Sequence, residues 1–245
     1  RYDKFGSGQE IFEKIAKIIT ILPIISIDII FNFPNQTQKA LMYDLEMLKK
    51  LYPEQTSVYP LMSSDIMRDN IKSKLGNFSV ENERRYFDIV KESLREAYPV
   101  KYGWSFMKKH SDLIDEYVID KSEYIGAGAG AFSFLDGSLY VNEFSLENYM
   151  RSIAKRGIST AYKKSFSQKS ISYYEILTKL YSGAVAKDAF KGLFWQFTAL
   201  KLIGAVREEE SAISVTDFGD YLFMNAMKEF YIGMDKIRLM GKSAL

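Results

Sequence analysis

The chain has no cysteine, one histidine (His110) and five prolines in 245 residues. Without cysteine it can form no disulfide, no thiolate-ligated iron–sulfur cluster, no cysteine zinc site and no catalytic thiol. A single imidazole excludes a multi-histidine metal centre. Charge of one sign is also lacking: 33 Lys and Arg face 31 Asp and Glu, for a net charge of +2. That balance gives no electrostatic case for nucleic acid or an anionic membrane as partner. No apolar run reaches the roughly 20 residues that span a bilayer, and no signal-peptide pattern is present. These absences predict a soluble, cytoplasmic protein, and a first residue of Arg rather than Met leaves its natural N-terminus open. What is present is core material: 47% of residues are hydrophobic and 26% charged, enough for one large domain or two modest ones.

The first stretch reads as helix, strand, helix, strand. Ser7-Gly8-Gln9-Glu10 has capping-box spacing, and Ile11, Ile15, Ile18, Ile19 and Leu22 follow at helical intervals. Ile24 to Phe33 is a nearly continuous β-branched and aromatic run, the pattern of a strand buried on both faces, interrupted by Asp28. A helix after Thr37 carries Leu41, Leu45, Leu48 and Leu51, and Ser57-Val58-Tyr59 reads as a second strand. This is β/α-repeat chemistry, but two strands make a poor parallel sheet, as if earlier repeats were missing. Residues 63–78 read as a loop with a short helix. Ser79 caps a helix with Tyr86, Ile89, Val90 and Leu94 on one face, and Tyr98 to Met107 reads as a strand. Asp136-Gly137 is a hairpin signal, and Ser145 caps the next helix. Residues 156–172 are basic and polar, the texture of a linker, and divide the chain into 1–155 and 156–245. The second part orders short helices, a β-wing and a long helix as a winged helix does. Its third helix, with Phe194, Trp195, Phe197, Leu200 and Leu202 beside a lone Lys201, is too apolar to read DNA.

Several residues are candidates for chemistry. The run Gly126-Ala127-Gly128-Ala129-Gly130-Ala131 lets backbone approach a ligand and offers N–H groups to it; it also suits a plain turn packed against another element. It lacks the spacing of a dinucleotide-binding or P-loop glycine motif. Asp28 is a carboxylate in an apolar strand, where it either faces the ligand end of a β/α sheet or forms a structural pair. Asn32 has the same two readings. His110 lies among polar residues and reads as a solvated side chain. Trp104, Phe106, Tyr124 and Phe132 suit either a flat-ligand pocket or core packing.

Ser26-Ile27-Asp28-Ile29-Ile30-Phe31-Asn32-Phe33-Pro34-Asn35-Gln36-Thr37 resembles the D-L-I-x-x-x-P-x-Q-T segment of the radical SAM coproporphyrinogen III oxidase family. That family includes the oxygen-independent oxidase of haem synthesis, a haem chaperone and an anaerobic haem-degrading methyltransferase. Three more segments match in order. Arg1 to Gly8 resembles the family's Arg-containing segment after its fifth barrel strand. Glu123 to Asn142 resembles its Y-I-G-x-G-x-G-A-x-S-[FY] … Y-V-N segment. Thr216-Asp217-Phe218-Gly219 and Met227-Lys228-Glu229-Phe230 resemble its C-terminal domain.

The resemblance implies the C-terminal part of a partial (β/α) radical SAM barrel followed by a helical, winged-helix-like domain. The family's C-x-x-x-C-x-x-C loop, which binds a [4Fe–4S] cluster, has no counterpart here. The resemblance implies that Arg1, Asp28 and Asn32 face S-adenosylmethionine, and that Gly126, Gly128, Gly130 and Phe132 line the substrate side of the cavity. The implied partners are a tetrapyrrole or haem and the missing N-terminal half of the barrel, without nucleic acid or membrane. The implied activity is oxidative decarboxylation of propionates through a deoxyadenosyl radical, absent from this chain alone; haem carriage is the alternative. The chaperone's G-A-H-S reads Gly130-Ala131-Phe132-Ser133 here, and no H-N-R-R-Y-W-like segment is visible. An open barrel seam would expose Ile27, Ile29 and Phe31 and favour aggregation.

Overall fold

The computed structural model describes residues 6–22, 24–62, 71–74, 76, 79–109 and 123–243. The chain separates into two compact units, 1–118 and 119–245. The first opens with α1 (Gly8–Ile19), whose Ser7 and Glu10 form the reciprocal capping box read from the sequence. Then come β1 (Ser26–Phe31), α2 (Gln38–Leu51), β2 (Gln55–Pro60), α3 (Val80–Leu94), β3 (Val100–Tyr102) and β4 (Ser105–Met107). The sheet order is β1-β2-β4-β3, with β1 and β2 parallel and the β3–β4 hairpin added antiparallel. The aromatic segment 98–107 is therefore two strands, because Gly103 turns the chain at φ 58.

Strand register sorts the side chains into two faces. Ile27, Thr56, Phe106 and Lys101 form one row, with Ile29 and Val58 beside it. Lys101 lies over the Phe87 ring of α3, which places the helices on this face. Leu41, Leu45 and Leu48 of α2 and Phe87, Val90 and Leu94 of α3 are all buried. Each such side chain contributes about 1.5–3 kcal/mol. The expectation that β1 is buried on both faces does not hold. Ser26 and Asp28 are exposed, and Ile27, Ile29 and Ile30 are half-buried. Among the described residues β1 pairs with β2 alone, so it is a sheet edge, with no neighbour on its other side to bury it. Phe31, expected at an exposed seam, is fully buried, because it lies on the face shared with Val58.

The second unit holds the sheet β5-β6-β7, from β5 (Phe132–Leu135), β6 (Ser138–Val141) and β7 (Tyr162–Ser165). Asp136 and Gly137 turn the β5–β6 hairpin with φ 46 and 65, as the dipeptide predicts. α4 (Leu146–Arg156) sits between β6 and β7, capped by Ser145. Residues 156–172 are not a linker: β7 lies within them, pairing with β6, and α5 (Gln168–Leu180) begins there. Tyr174 of α5 meets the Phe134 ring at 5.3 Å. The boundary read at 155/156 thus falls inside the second unit.

The remaining elements are β8 (Ala184–Ala186), a 3-10 turn (Lys187–Phe190), α6 (Phe194–Leu202), β9 (Val206–Glu208), β10 (Ala212–Val215) and α7 (Asp217–Ser243). The antiparallel order β8-β10-β9 is that of a winged helix. Phe194, Trp195 and Leu202 of α6 are 67%, 77% and 81% exposed, and Lys201 is bound to Glu208 at 2.9 Å. The face a DNA-reading helix would present is therefore apolar. The Thr216-Asp217-Phe218-Gly219 segment has a mechanical explanation. Thr216 Oγ1 accepts from the Gly219 N–H and donates to the Gly204 carbonyl. A Cβ on Gly219 would overlap the carbonyl oxygen of Ala205, so only glycine lets α7 cross there.

Two predictions follow from this packing. Gly219→Ala must push two backbones apart; thermal unfolding should show a loss of about 4 kcal/mol or more, beyond the ordinary range for a point substitution. Hydrogen bonds from Lys201 and Lys187 hold the Glu208 carboxyl below its ordinary value. A depressed carboxylate stabilises the fold above the unfolded pKa, and that contribution is lost as pH falls through the lowered value. Glu208→Gln should therefore reduce acid sensitivity of the wing below the ordinary carboxylate range, read by amide exchange in β9 across pH.

Candidate functional site

The face of the first sheet away from the helices carries a polar row among apolar side chains such as Ile30, Tyr59 and Met107. Register puts Asp28, Ser57, Ser105 and Tyr102 in one row, flanked by Ser26, Gln55 and Met107. Ser57 Oγ and Ser105 Oγ are hydrogen-bonded at 2.9 Å and fully buried. Asp28 is exposed at the edge of this row. The mutual hydrogen bond of the two serines makes their burial tolerable, since an unpaired buried hydroxyl costs about 1–3 kcal/mol. The geometry therefore presents a carboxylate acceptor with paired hydroxyls beside it.

Asn32 lies just beyond β1 with φ 62, a conformation asparagine tolerates better than most side chains. Its N–H donates to Gln36 Oε1 at 2.7 Å, and its Nδ2 donates to the Ser79 carbonyl at 3.1 Å and to Glu83. Asn32 and Glu83 are both buried. The residue thus locks the end of β1 to the N-terminus of α3. Arg1 and His110 lie outside the described residues. Trp104 and Phe106 are buried in the first unit, Trp104 with its ring 5.7 Å from Tyr59.

In the second unit the glycine run folds back on β5. The Gly126 N–H donates to Ser133 Oγ at 3.1 Å. A Cβ at Gly126 would overlap the Phe132 carbonyl oxygen. Asn142 Nδ2 donates to the carbonyls of Gly126 and Gly128 at 3.3 and 2.9 Å, and Gly130 N–H reaches the Glu143 carbonyl. Gly128 and Gly130 take φ 106 and 70. The N–H groups of Ala127, Gly128 and Ala129 make no hydrogen bond among the described residues, which leaves three successive donors at the loop's tip. Such a run of amides suits an anionic oxygen. Phe132 is buried and Tyr124 half-buried. Burial pushes the Tyr124 and Tyr174 phenols up, with Tyr124 adding to the effect on Tyr174, so both stay protonated at neutral pH.

Sequence reading missed the Ser57–Ser105 pair and the Asn142 brace. The first depends on β2–β4 register, for which the sequence carried no signal. The second was carried in the Y-V-N end of the segment, whose asparagine had no assigned partner. Asn142→Ala should free two glycine carbonyls and loosen the loop. We expect a loss of about 1–3 kcal/mol and faster amide exchange at Gly130 and Ala131, whereas Gly126→Ala should be more damaging because it strikes backbone.

No family model matches the chain. Over 142 residues it is 30% identical to the heme chaperone HemW of Bacillus subtilis (strain 168), covering 54% of this chain and 36% of that protein. In fold it matches the Escherichia coli coproporphyrinogen III oxidase HemN, described as a radical SAM enzyme. That match has a TM-score of 0.66 at 16% identity, over 92% of this chain and 59% of the other. The chain thus spans about a third of the curated relative and three-fifths of the solved one. The sequence match and the mixed α/β fold point the same way: the chain is similar to radical SAM proteins of the coproporphyrinogen III oxidase kind, and its fold is consistent with the C-terminal portion of the solved relative.

Proposed function

We propose that the chain supplies part of the wall of a radical SAM site acting on a tetrapyrrole. In the first unit the candidate contacts for the nucleoside end of S-adenosylmethionine are Arg1, Asp28 and Asn32. In the second the candidate substrate contacts are Gly126, Gly128, Gly130 and Phe132. The observation that carries this reading is the exposed Asp28 in the polar row of the first sheet, beside the Ser57–Ser105 pair. A carboxylate there can accept hydrogen bonds from ribose hydroxyls. Asn32 acts by fixing the backbone at the end of β1. The glycine-loop amides suit a propionate carboxylate of the substrate, the group such an enzyme would decarboxylate.

The residues present do not fit the iron–sulfur cluster. The chain has no cysteine, and no group of three or more metal-ligating side chains occurs among the described residues. In this reading cluster ligation and electron entry belong to residues outside the chain, and no step here passes through them. For S-adenosylmethionine the exposed Asp28 carboxylate is a suitable acceptor, and the bound cofactor would supply the radical chemistry.

A second reading, haem carriage, is favoured by the name of the curated relative. Phe132 weighs against it: where the chaperone motif has histidine this chain has a buried phenyl ring, which offers no axial ligand. No helix among the described residues is long and apolar enough to cross a membrane.

Photolabelling with 8-azido-S-adenosylmethionine tests the first unit. Label is expected in peptides spanning β1 and β2, and Asp28→Asn should reduce it about tenfold, the usual worth of a charge-assisted hydrogen bond. Label elsewhere, or unaffected by Asp28→Asn, would contradict the proposal. Stoichiometric haem titration without consumption of coproporphyrinogen would instead favour carriage.

A further inference from the structure

All four residues of β7 are exposed, and among the described residues the strand pairs with β6 alone. It is an open sheet edge. Around it, residues 148–174 contain Arg151, Lys155, Arg156, Lys163, Lys164 and Lys169 and no Asp or Glu. Among the described residues only Arg151 of these six forms an ion pair, with Glu147 at 2.6 Å. The lysines are nonetheless ordered by aromatic rings. Lys163 lies 5.0 Å from the Tyr140 ring centre, Lys164 5.5 Å from Phe166 and Lys169 5.7 Å from Tyr173.

We propose that β7 is a docking edge for an extended acidic segment of a protein partner, which adds to the sheet as a further strand. The Phe166 N–H bonds inward to the Gly137 carbonyl. By the alternation of an antiparallel ladder, Lys163 and Ser165 turn their N–H and C=O groups outward. Those groups supply main-chain affinity, and the side chains supply selection. Lysines on an edge repel basic strands and make neutral ones dock at a desolvation cost; the same lysines attract one that carries carboxylates. Lys163 pairs across the ladder with Tyr140 and Lys164 with Leu139, so the two ammonium groups project to opposite faces of the strand. A flat anionic surface meets only one of them. A strand running alongside, with carboxylates at successive positions, meets both. Tyr162 and Phe166, exposed at either end of the strand, give such a segment apolar contacts. This inference is independent of the cofactor reading, since it involves neither Asp28 nor the glycine loop.

The test uses the full chain and a fluorescein-labelled peptide with adjacent glutamate pairs set between valine and threonine, so that carboxylates project to both faces of the strand. Two controls accompany it: a peptide of equal charge with proline at alternate positions, and phosphatidylglycerol vesicles. The paired-glutamate peptide should bind, slow amide exchange at Lys163 and Ser165, and weaken at least about tenfold with Lys163→Glu plus Lys164→Glu, as for a close charge pair. Because both side chains are exposed, amide protection in β5 and β6 should be unchanged in that variant. Absence of peptide binding, equal binding of the proline peptide, or binding to vesicles in place of the peptide would each overturn the proposal.

Discussion

The parallel pairing of β1 with β2 is the constraint on which the candidate site depends. It sets Ser57 in register with Asp28, and β4 then brings Ser105 to Ser57. A slip of one residue would turn Asp28 toward the helices and Ile27 and Ile29 away from them. The buried leucines of α2 and the Phe87, Val90 and Leu94 cluster of α3 penalise that slip by several side chains' worth of burial, about 1.5–3 kcal/mol each. Core packing on one face therefore fixes the chemistry offered by the other.

Local features were legible because they rest on local physics. The Ser7–Glu10 box, the Ser79 and Ser145 caps and the Asp136-Gly137 turn all form as their sequences predict. Each depends on hydrogen bonds or dihedral preferences within a few residues. The errors arose where a neighbour in space decided the outcome. The apolar content of β1 suggested two covered faces, yet burial depends on what lies beside a strand, and β1 is an edge. The basic segment 156–172 looked like a linker because β7 has no apolar alternation; its place comes from hydrogen bonds to β6.

The glycines also divide by mechanism. Gly219 and Gly126 are required by close backbone approach, to Ala205 and Phe132 respectively, and both would be needed whatever the protein binds. The loop tip at Ala127, Gly128 and Ala129 is different, since its amides meet no acceptor among the described residues. Family resemblance alone could not separate these cases. The same holds for Asn32, which carries a backbone conformation and an inter-element bond as well as any contact with a nucleoside.

The central claim is that this chain forms site walls and does not itself generate the radical. Anaerobic reconstitution with iron and sulfide, followed by quantification of 5′-deoxyadenosine from S-adenosylmethionine, tests it directly. The account predicts no product from this chain alone, and product when the part of the Escherichia coli radical SAM enzyme that this chain does not cover is joined to it. Deoxyadenosine formed by the cysteine-free chain would contradict the account.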